Sequence, residues 1–389
     1  MRILHLCLAC FYIDGYAYQE NLLPKYHKKL GNEVVIIAST QTYVDNVSLG
    51  YVEPSEYINA DGIKVKRISY SHNIPQKLNT KLRIYEQVKE SLEEFKPDII
   101  FVHDIQFLSL KELVYYKKRN PKVIILADCH ADYINSAKTF LSKNILHKWI
   151  YRRSIKKAEP YIEKFYGTLP CRCNFLKEMY GIPESKIEYL PFGADDELTD
   201  KALMPENRNK IRKKYGIHEG EFVLVTGGKI NKQKMDILLA MDAVCECDIP
   251  ARLIVFGSIA DDVKDEFKRR IAKNKIIYAG WADVRQSYDL MGAADAAVFP
   301  CLHSTLWEQA AGMGLPCIIH HIEGYTHINI NENCFCIETI TKENIIHSIA
   351  HVYQNILCYK KRAEEGKRYF SYKRIAELTL KTEDTSGFL

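Results

Sequence analysis

Along this chain, short unbroken apolar runs alternate with longer stretches in which apolar residues recur at helical spacing. Residues 1–9, 33–39, 97–104 and 123–132 read as strands, the last two ending in polar residues. Residues 19–30 read as a helix between the first two strands, which makes a βαβ unit. In the second half, 222–225, 253–257, 276–281, 296–299 and 317–319 read as strands, and 235–240 opens a helix. Strands alternating with helices predict an α/β fold with open sheets. In such sheets, ligands sit beyond the carboxyl ends of the strands.

Two of these ends carry candidate chemistry. After the run 222–225 comes Thr226-Gly227-Gly228-Lys229-Ile230-Asn231-Lys232-Gln233-Lys234. Glycines allow backbone N–H groups to approach an anion, and Lys229 and Lys234 add positive charge suited to a diphosphate. The spacing is not that of a P-loop, because no G-K-[ST] follows. A plain βα turn with solvated lysines is the competing reading. The second end is Pro300-Cys301-Leu302-His303-Ser304-Thr305-Leu306-Trp307-Glu308. Ser304 or Thr305 is placed to cap a helix that ends near Gly312-Met313-Gly314-Leu315-Pro316. Hydroxyls and N–H groups at its start suit a phosphate, and the Glu308 carboxylate, about one turn in, suits the paired hydroxyls of a ribose. The alternative is a solvated glutamate favoured by the helix dipole.

Together the two segments resemble the C-terminal half of family-4 (group 1) retaining glycosyltransferases of the GT-B fold. That family carries G-R-x-x-x-x-K, for which this chain has Lys229 and Lys234. It also carries E-x7-E before A-x-x-G-x-P, matched here by Glu308 and Ala311-Gly312-Met313-Gly314-Leu315-Pro316. The first glutamate is absent, because the segment from Pro300 to Glu308 is too short to hold it. That glutamate contacts the donor sugar in the family, so the identity of the sugar stays open, with His303 or Ser304 as candidate replacements. The resemblance extends over nearly the whole chain and implies two Rossmann-like domains facing each other across a cleft. They are expected at 1–196 (acceptor) and 197–367 (nucleotide-sugar), with 368–389 a closing helix returning to the first domain and a loose tail from 383. Leu190-Pro191-Phe192-Gly193-Ala194-Asp195 resembles the family's P-N-G-V-D at the junction.

The first strand's loop holds Asp14-Gly15-Tyr16-Ala17-Tyr18-Gln19-Glu20-Asn21. The resemblance assigns Gly15 to the donor phosphates and Tyr16, Tyr18 and Glu20 to the acceptor. No G-x-G-x-x-G occurs, which argues against a dinucleotide-dependent dehydrogenase. His130 matches the family's histidine facing the reacting sugar, where imidazole meets a hydroxyl or developing charge; a histidine satisfied by a local carbonyl is the competing reading. His103 reads as structural or supporting, and Asp104 and Asp132 as loop caps. Trp281 follows the strand that in the family lies beside the nucleobase, and is expected either against a base or in the core.

Composition narrows the partners. At 389 residues the chain exceeds one ordinary domain of ~100–200 residues. Its net charge of +5 is too modest to suggest nucleic acid. No run approaches the ~18 apolar residues of a membrane span, and the chain opens on a strand rather than a signal peptide. The twelve cysteines lack zinc-type spacing and read as reduced thiols of a cytoplasmic protein. No D-x-D metal clamp is present, so no metal or cofactor is expected and the lysines would carry the diphosphate's charge. Residues 141–157 form a candidate basic amphipathic helix, either a solvated face or a peripheral contact with the inner membrane surface. The expected reaction is transfer of a hexosyl group from a UDP- or GDP-type nucleotide-sugar to a hydroxyl of a glycan or lipid-linked acceptor. The resemblance adds retention and a role in bacterial cell-surface polysaccharide synthesis. An epimerase or hydrolase of the same fold, or a non-catalytic nucleotide-sugar-binding subunit, are the alternatives.

Overall fold

The computed structural model describes residues 1–44 and 48–381; the expected tail at 383–389 lies outside the described residues. The chain divides into two units, Met1–Pro191 with Ala376–Leu389, and Phe192–Ile375. In the first unit the strands are β1 (Arg2–Cys7), β2 (Glu33–Ser39), β3 (Gln41–Tyr43), β4 (Leu49–Tyr51), β5 (Ser55–Ile58), β6 (Lys64–Ile68), β7 (Ile99–Val102), β8 (Ile124–Cys129), β9 (Lys164–Gly167) and β10 (Ile187–Tyr189). Eight of them form one sheet, β10-β9-β8-β7-β1-β2-β6-β5, while β3 and β4 pair separately. Only β5 runs antiparallel to its neighbour in the large sheet. Helix α1 (Gln19–Lys29) carries the chain from β1 to β2, whereas β7 lies on the other side of β1. The winding direction therefore reverses beside β1, where open sheets form their crevice.

The second unit contains β11 (Phe222–Gly227), β12 (Ala251–Phe256), β13 (Ile276–Tyr278), β14 (Ala296–Phe299), β15 (Cys317–His320) and β16 (Cys334–Ile337). Their order is β13-β12-β11-β14-β15-β16, all parallel, the doubly wound order with its switch point between β11 and β14. Strand β11 shows why its sequence is continuously apolar. Val223 and Val225 enter one core, and Phe222 and Leu224 enter the other, so helices cover both faces. Helix α2 (Asp236–Glu246) follows β11, α3 (Leu306–Gly312) follows β14, and α4 (Tyr372–Leu380) ends the described chain.

The divisions between units fall a few residues from the expected 196 and 367. Ala194 N–H donates to the Phe370 carbonyl at 2.7 Å and Tyr372 N–H donates to Ala194 at 3.2 Å. These bonds hold both segments in the second unit, and the returning chain joins the first unit at Ala376. At Gly193 a β-carbon would sit 2.3 Å from the Phe370 carbonyl oxygen, so only glycine fits there. All twelve cysteines are free thiols.

Candidate functional site

The switch point of the second unit gathers the lysine motif. Gly228 leaves β11 at φ 110°, in the left-handed region that glycine adopts without strain. Its N–H donates to Phe256 at 3.1 Å, Gly257 N–H donates to Gly280 at 2.8 Å, and Ile230 N–H donates to Ser258 at 2.8 Å. The ends of β11, β12 and β13 are thereby joined backbone to backbone. The approach is close enough that a β-carbon on Gly257 would lie 2.0 Å from the Gly228 carbonyl oxygen. Asn231 then turns the chain, its side chain accepting from Gln233 N–H at 3.1 Å. This turn brings Lys234 back over Gly228: a β-carbon built there would meet Lys234 Nζ at 3.5 Å and Leu306 Cδ1, from the start of α3, at 3.7 Å.

Lys234 is half-buried, and desolvation pulls its ammonium below the ordinary lysine range. No described carboxylate pairs with it, and the Cys301 thiol is an electrostatic neighbour. Lys229 stands exposed on the same turn. Trp281, expected against a base or in the core, projects from the turn at Gly280 and is 55% exposed. The core alternative is thus excluded.

Helix α3 departs from expectation. Thr305 occupies its cap position, but its side chain makes no capping hydrogen bond, and the helix is only seven residues long. Ser304 contributes its carbonyl, which accepts Trp307 N–H at 2.9 Å. Glu308 is neither a solvated glutamate nor an open ribose contact: it is fully buried. Its Oε1 accepts from His303 Nε2 at 2.7 Å and from His327 Nε2 at 2.8 Å, while Oε2 has no partner. Burial alone would raise this carboxyl, yet the two imidazoles hold it well below the usual carboxylate range. His303 therefore supports Glu308 rather than standing free in the place of the missing glutamate. The ligand atoms of this trio lie within 4.8 Å of one another, and it is the one such metal-competent group among the described residues.

In the first unit the β1 loop is pinned by Arg67. Its guanidinium donates to Ser39 at 3.0 Å and Tyr12 at 3.2 Å and pairs with Asp14 at 3.2 Å. Gly15 follows at φ 77° and is exposed. Tyr16 and Tyr18 stack on each other at 5.2 Å, both half-buried. Glu20, expected to face an acceptor, is instead buried, its carboxylate 3.8 Å from His130 Nδ1. His130 follows β8, and its Nε2 lies 3.1 Å from Asp128 Oδ1. Burial presses its imidazole down, but Asp128 outweighs this, with Glu20 and Asp104 adding to the effect, and raises it to about 9. The carboxylates around the ring thus favour its protonated form. Asp132 caps its loop, accepting N–H from Ile134 at 2.8 Å and Asn135 at 2.7 Å. His103 is fully buried.

Sequence reasoning missed Asp128, His5, His27 and His327. Asp128 sits at the polar end of an apolar strand and was visible by that rule. His327 is brought to Glu308 only by tertiary folding.

No protein-family model matches the chain. An uncharacterized glycosyltransferase of Methanocaldococcus jannaschii is 22% identical over 301 residues, covering 73% of this chain and 73% of that protein. A solved glycosyltransferase from Rickettsia africae superposes with a TM-score of 0.65 at 18% identity, over 97% of this chain and 96% of that one. HepE of Anabaena, solved with UDP and glucose, superposes with a TM-score of 0.62 at 14% identity, over 97% and 98% of the two chains. The fold is GT-B. At these identities the likeness speaks to architecture alone. It extends over both units and includes the doubly wound sheet whose switch point holds Lys229 and Lys234.

Proposed function

We propose that the chain is a glycosyltransferase that binds a nucleotide-sugar in its second unit and moves the sugar to a hydroxyl. The observation that carries this reading is Lys234: a partly desolvated ammonium without a carboxylate partner, over a glycine turn at the switch point of a doubly wound sheet. Such a cation is stabilised by an anion arriving from outside. The relatives are in keeping with this, since HepE of Anabaena was solved with UDP and glucose.

When the bond between sugar and diphosphate breaks, its electron pair stays on the diphosphate. Lys229 and Lys234 stabilise that charge, each contact contributing roughly a few kcal/mol at ~4 Å and an effective dielectric near 20. No metal is assigned to this step. Trp281 offers an exposed ring face to the base. His130, carried by the first unit as a cation, donates a hydrogen bond to a sugar hydroxyl or to developing negative charge. Gly15, Tyr16 and Tyr18 lie on the loop assigned to donor phosphate and acceptor. Glu20 acts on His130 rather than on the acceptor. Glu308, held by His303 and His327, keeps Oε2 for a hydroxyl of the nucleoside once the surrounding side chains part. Retention at the anomeric carbon follows from the family resemblance.

The same reading extends to a lipid-linked acceptor. No described helix is long and apolar enough to cross a membrane. Leu141, Ile145 and Trp149 recur every four residues, and Leu141 and Trp149 are each 66% exposed. Lys143, Lys148, Arg153 and Lys157 accompany them. An apolar stripe among basic residues suits the surface of an anionic bilayer. Donor-consumption assays with a panel of UDP- and GDP-sugars, with and without acceptor, test the whole reading. Acceptor-dependent release of nucleotide supports transfer. Release without acceptor indicates a hydrolase or epimerase, and binding without turnover indicates a non-catalytic subunit.

A further inference from the structure

In the second unit, helix α3 and the loop after β15 bring two imidazoles to one carboxylate oxygen. His303 Nε2 lies 2.7 Å and His327 Nε2 2.8 Å from Glu308 Oε1, while Oε2 has no hydrogen-bond partner. The side chains of Glu308 and His327 are shut off from solvent, and that of His303 is 8% exposed. Contacts outside the trio hold its rings. His303 packs edge-on against Trp307, ring centroids 5.4 Å apart, and lies 5.6 Å from Tyr325. The Tyr325 backbone accepts a hydrogen bond from the His327 ring. The loop itself is pinned to β16, because the Asn329 side chain accepts Cys334 N–H at 3.0 Å.

Two imidazole nitrogens and a carboxylate oxygen, with one position left open, are a recurring donor set for zinc and its neighbours. The three ligand atoms already lie within 4.8 Å of one another. Zinc bonds of about 2.0–2.1 Å in a tetrahedron set ligand atoms about 3.3 Å apart, so each nitrogen–oxygen gap opens by only about half an ångström to admit an ion. Asp128 in the first unit also has two histidines beside it, but they face different oxygens, His130 at Oδ1 and His103 at Oδ2. At Glu308 the contacts converge on a single atom. A buried carboxylate with two contacts on one oxygen and none on the other is poorly served by hydrogen bonds alone. A cation offsets the charge that both oxygens share. The backbone bond to His327 is the kind of outer contact that orients a metal-ligating imidazole. The exposed edge of His303 gives an ion its way in.

We infer that His303, Glu308 and His327 form a binding site for one divalent transition ion of the zinc type, with a fourth position left to water. To ligate, each ring presents its Nε2 lone pair and carries its hydrogen on Nδ1. The ion takes no part in breaking the sugar–diphosphate bond, where the lysines carry the charge. It does claim the carboxylate that the proposed function reserves for a nucleoside hydroxyl. Ion and nucleoside therefore exclude each other, and the ion switches donor binding off. That exclusion rests on the proposed nucleotide reading; the ion site does not.

The test is titration of the full, reduced chain with Co2+, whose visible bands report its coordination, followed by displacement with Zn2+. The wild type should bind one Co2+ through nitrogen and oxygen, with the bands of a four-coordinate ion and no near-ultraviolet charge-transfer band from sulfur. Glu308→Gln keeps the size of the side chain and should weaken binding by more than the ~10–100-fold that loss of a supporting partner costs. No uptake by the wild type, or a sulfur band that puts the ion on the free thiols, overturns the site before any variant is made. Unchanged uptake in a folded Glu308→Gln variant overturns it as well. Uridine and guanosine, which lack phosphates to chelate the ion, test the exclusion. Their binding should weaken about 100-fold with Zn2+ at ~100 times its Kd. Bound zinc with unchanged nucleoside affinity overturns the exclusion and leaves the ion site in place. If neither nucleoside binds the ion-free protein, the exclusion falls with the nucleotide reading and the ion site stands.

Discussion

Lys234 in the second unit and His130 in the first both lose water on folding, and burial penalises the cation in each case. At Lys234 no described carboxylate opposes the penalty, and the ammonium ends below its usual range. At His130 Asp128, Glu20 and Asp104 oppose it, and the imidazole ends at about 9. The protein thus places carboxylates around one cation and no described carboxylate beside the other. A self-neutralised cation is suited to orient and donate. An unneutralised one is suited to bind whatever negative charge arrives, and this one follows β11 at the switch point of its sheet.

The sharpest way to break this contrast is to remove the open cation. Lys234→Ala should lower transfer by about 10²–10³-fold, the range for deleting one electrostatic donor at a developing anion. Lys229→Ala should cost less, because Lys229 is exposed and water screens it. Initial rates with a saturating acceptor measure both. Equal rates in all three proteins would remove the lysines from the reaction.

Next in size is the carboxylate side. The folded-state value of His130, about 9, lies above the ~6.5 of an unfolded histidine, so its contribution to stability is fully present below ~6.5 and is lost as pH rises through about 9. Denaturant unfolding at pH 6.5 and 9.5 should show this loss, and Asp128→Asn should flatten it. The flattening separates His130 from His27, which burial lowers to about 3 and which acts only on the acid side. A loss that persists in Asp128→Asn would show that Asp128 does not hold the proton on His130.

A third test concerns Glu308. His327→Ala removes one of two donors to a fully buried carboxylate and should destabilise the second unit by ~1–3 kcal/mol, read as a lower denaturant midpoint. Trp281→Ala should have the smallest effect. The ring is mostly exposed, so stability should hold while nucleotide affinity falls by about fivefold, near 1 kcal/mol. Isothermal titration reads this directly, and unchanged affinity would place the base elsewhere.

How much of this was legible in the chain differs by residue. Gly227-Gly228 marked the turn at the end of its strand, because a local turn needs only local residues. The unbroken apolar run Phe222–Val225 likewise revealed a buried strand, since a parallel sheet covered on both faces leaves no polar face to write. Burial of Glu308 and Glu20 was illegible. Each resembled an open contact until His327, nineteen residues on, and His130, a hundred and ten residues on, closed against them. Local turn chemistry is written in neighbouring residues, whereas the proton state of a buried group is written by whatever the fold brings to it.

The account's central claim is that Lys234 waits for a diphosphate. Isothermal titration of wild type and Lys234→Ala with a nucleoside, its monophosphate and its diphosphate, in the UDP and GDP series, tests it most directly. The account predicts that the step from monophosphate to diphosphate adds about tenfold or more in affinity to the wild type, near 1.4 kcal/mol, and adds little to Lys234→Ala, with nucleoside binding equal in both. The same diphosphate increment in both proteins would contradict it.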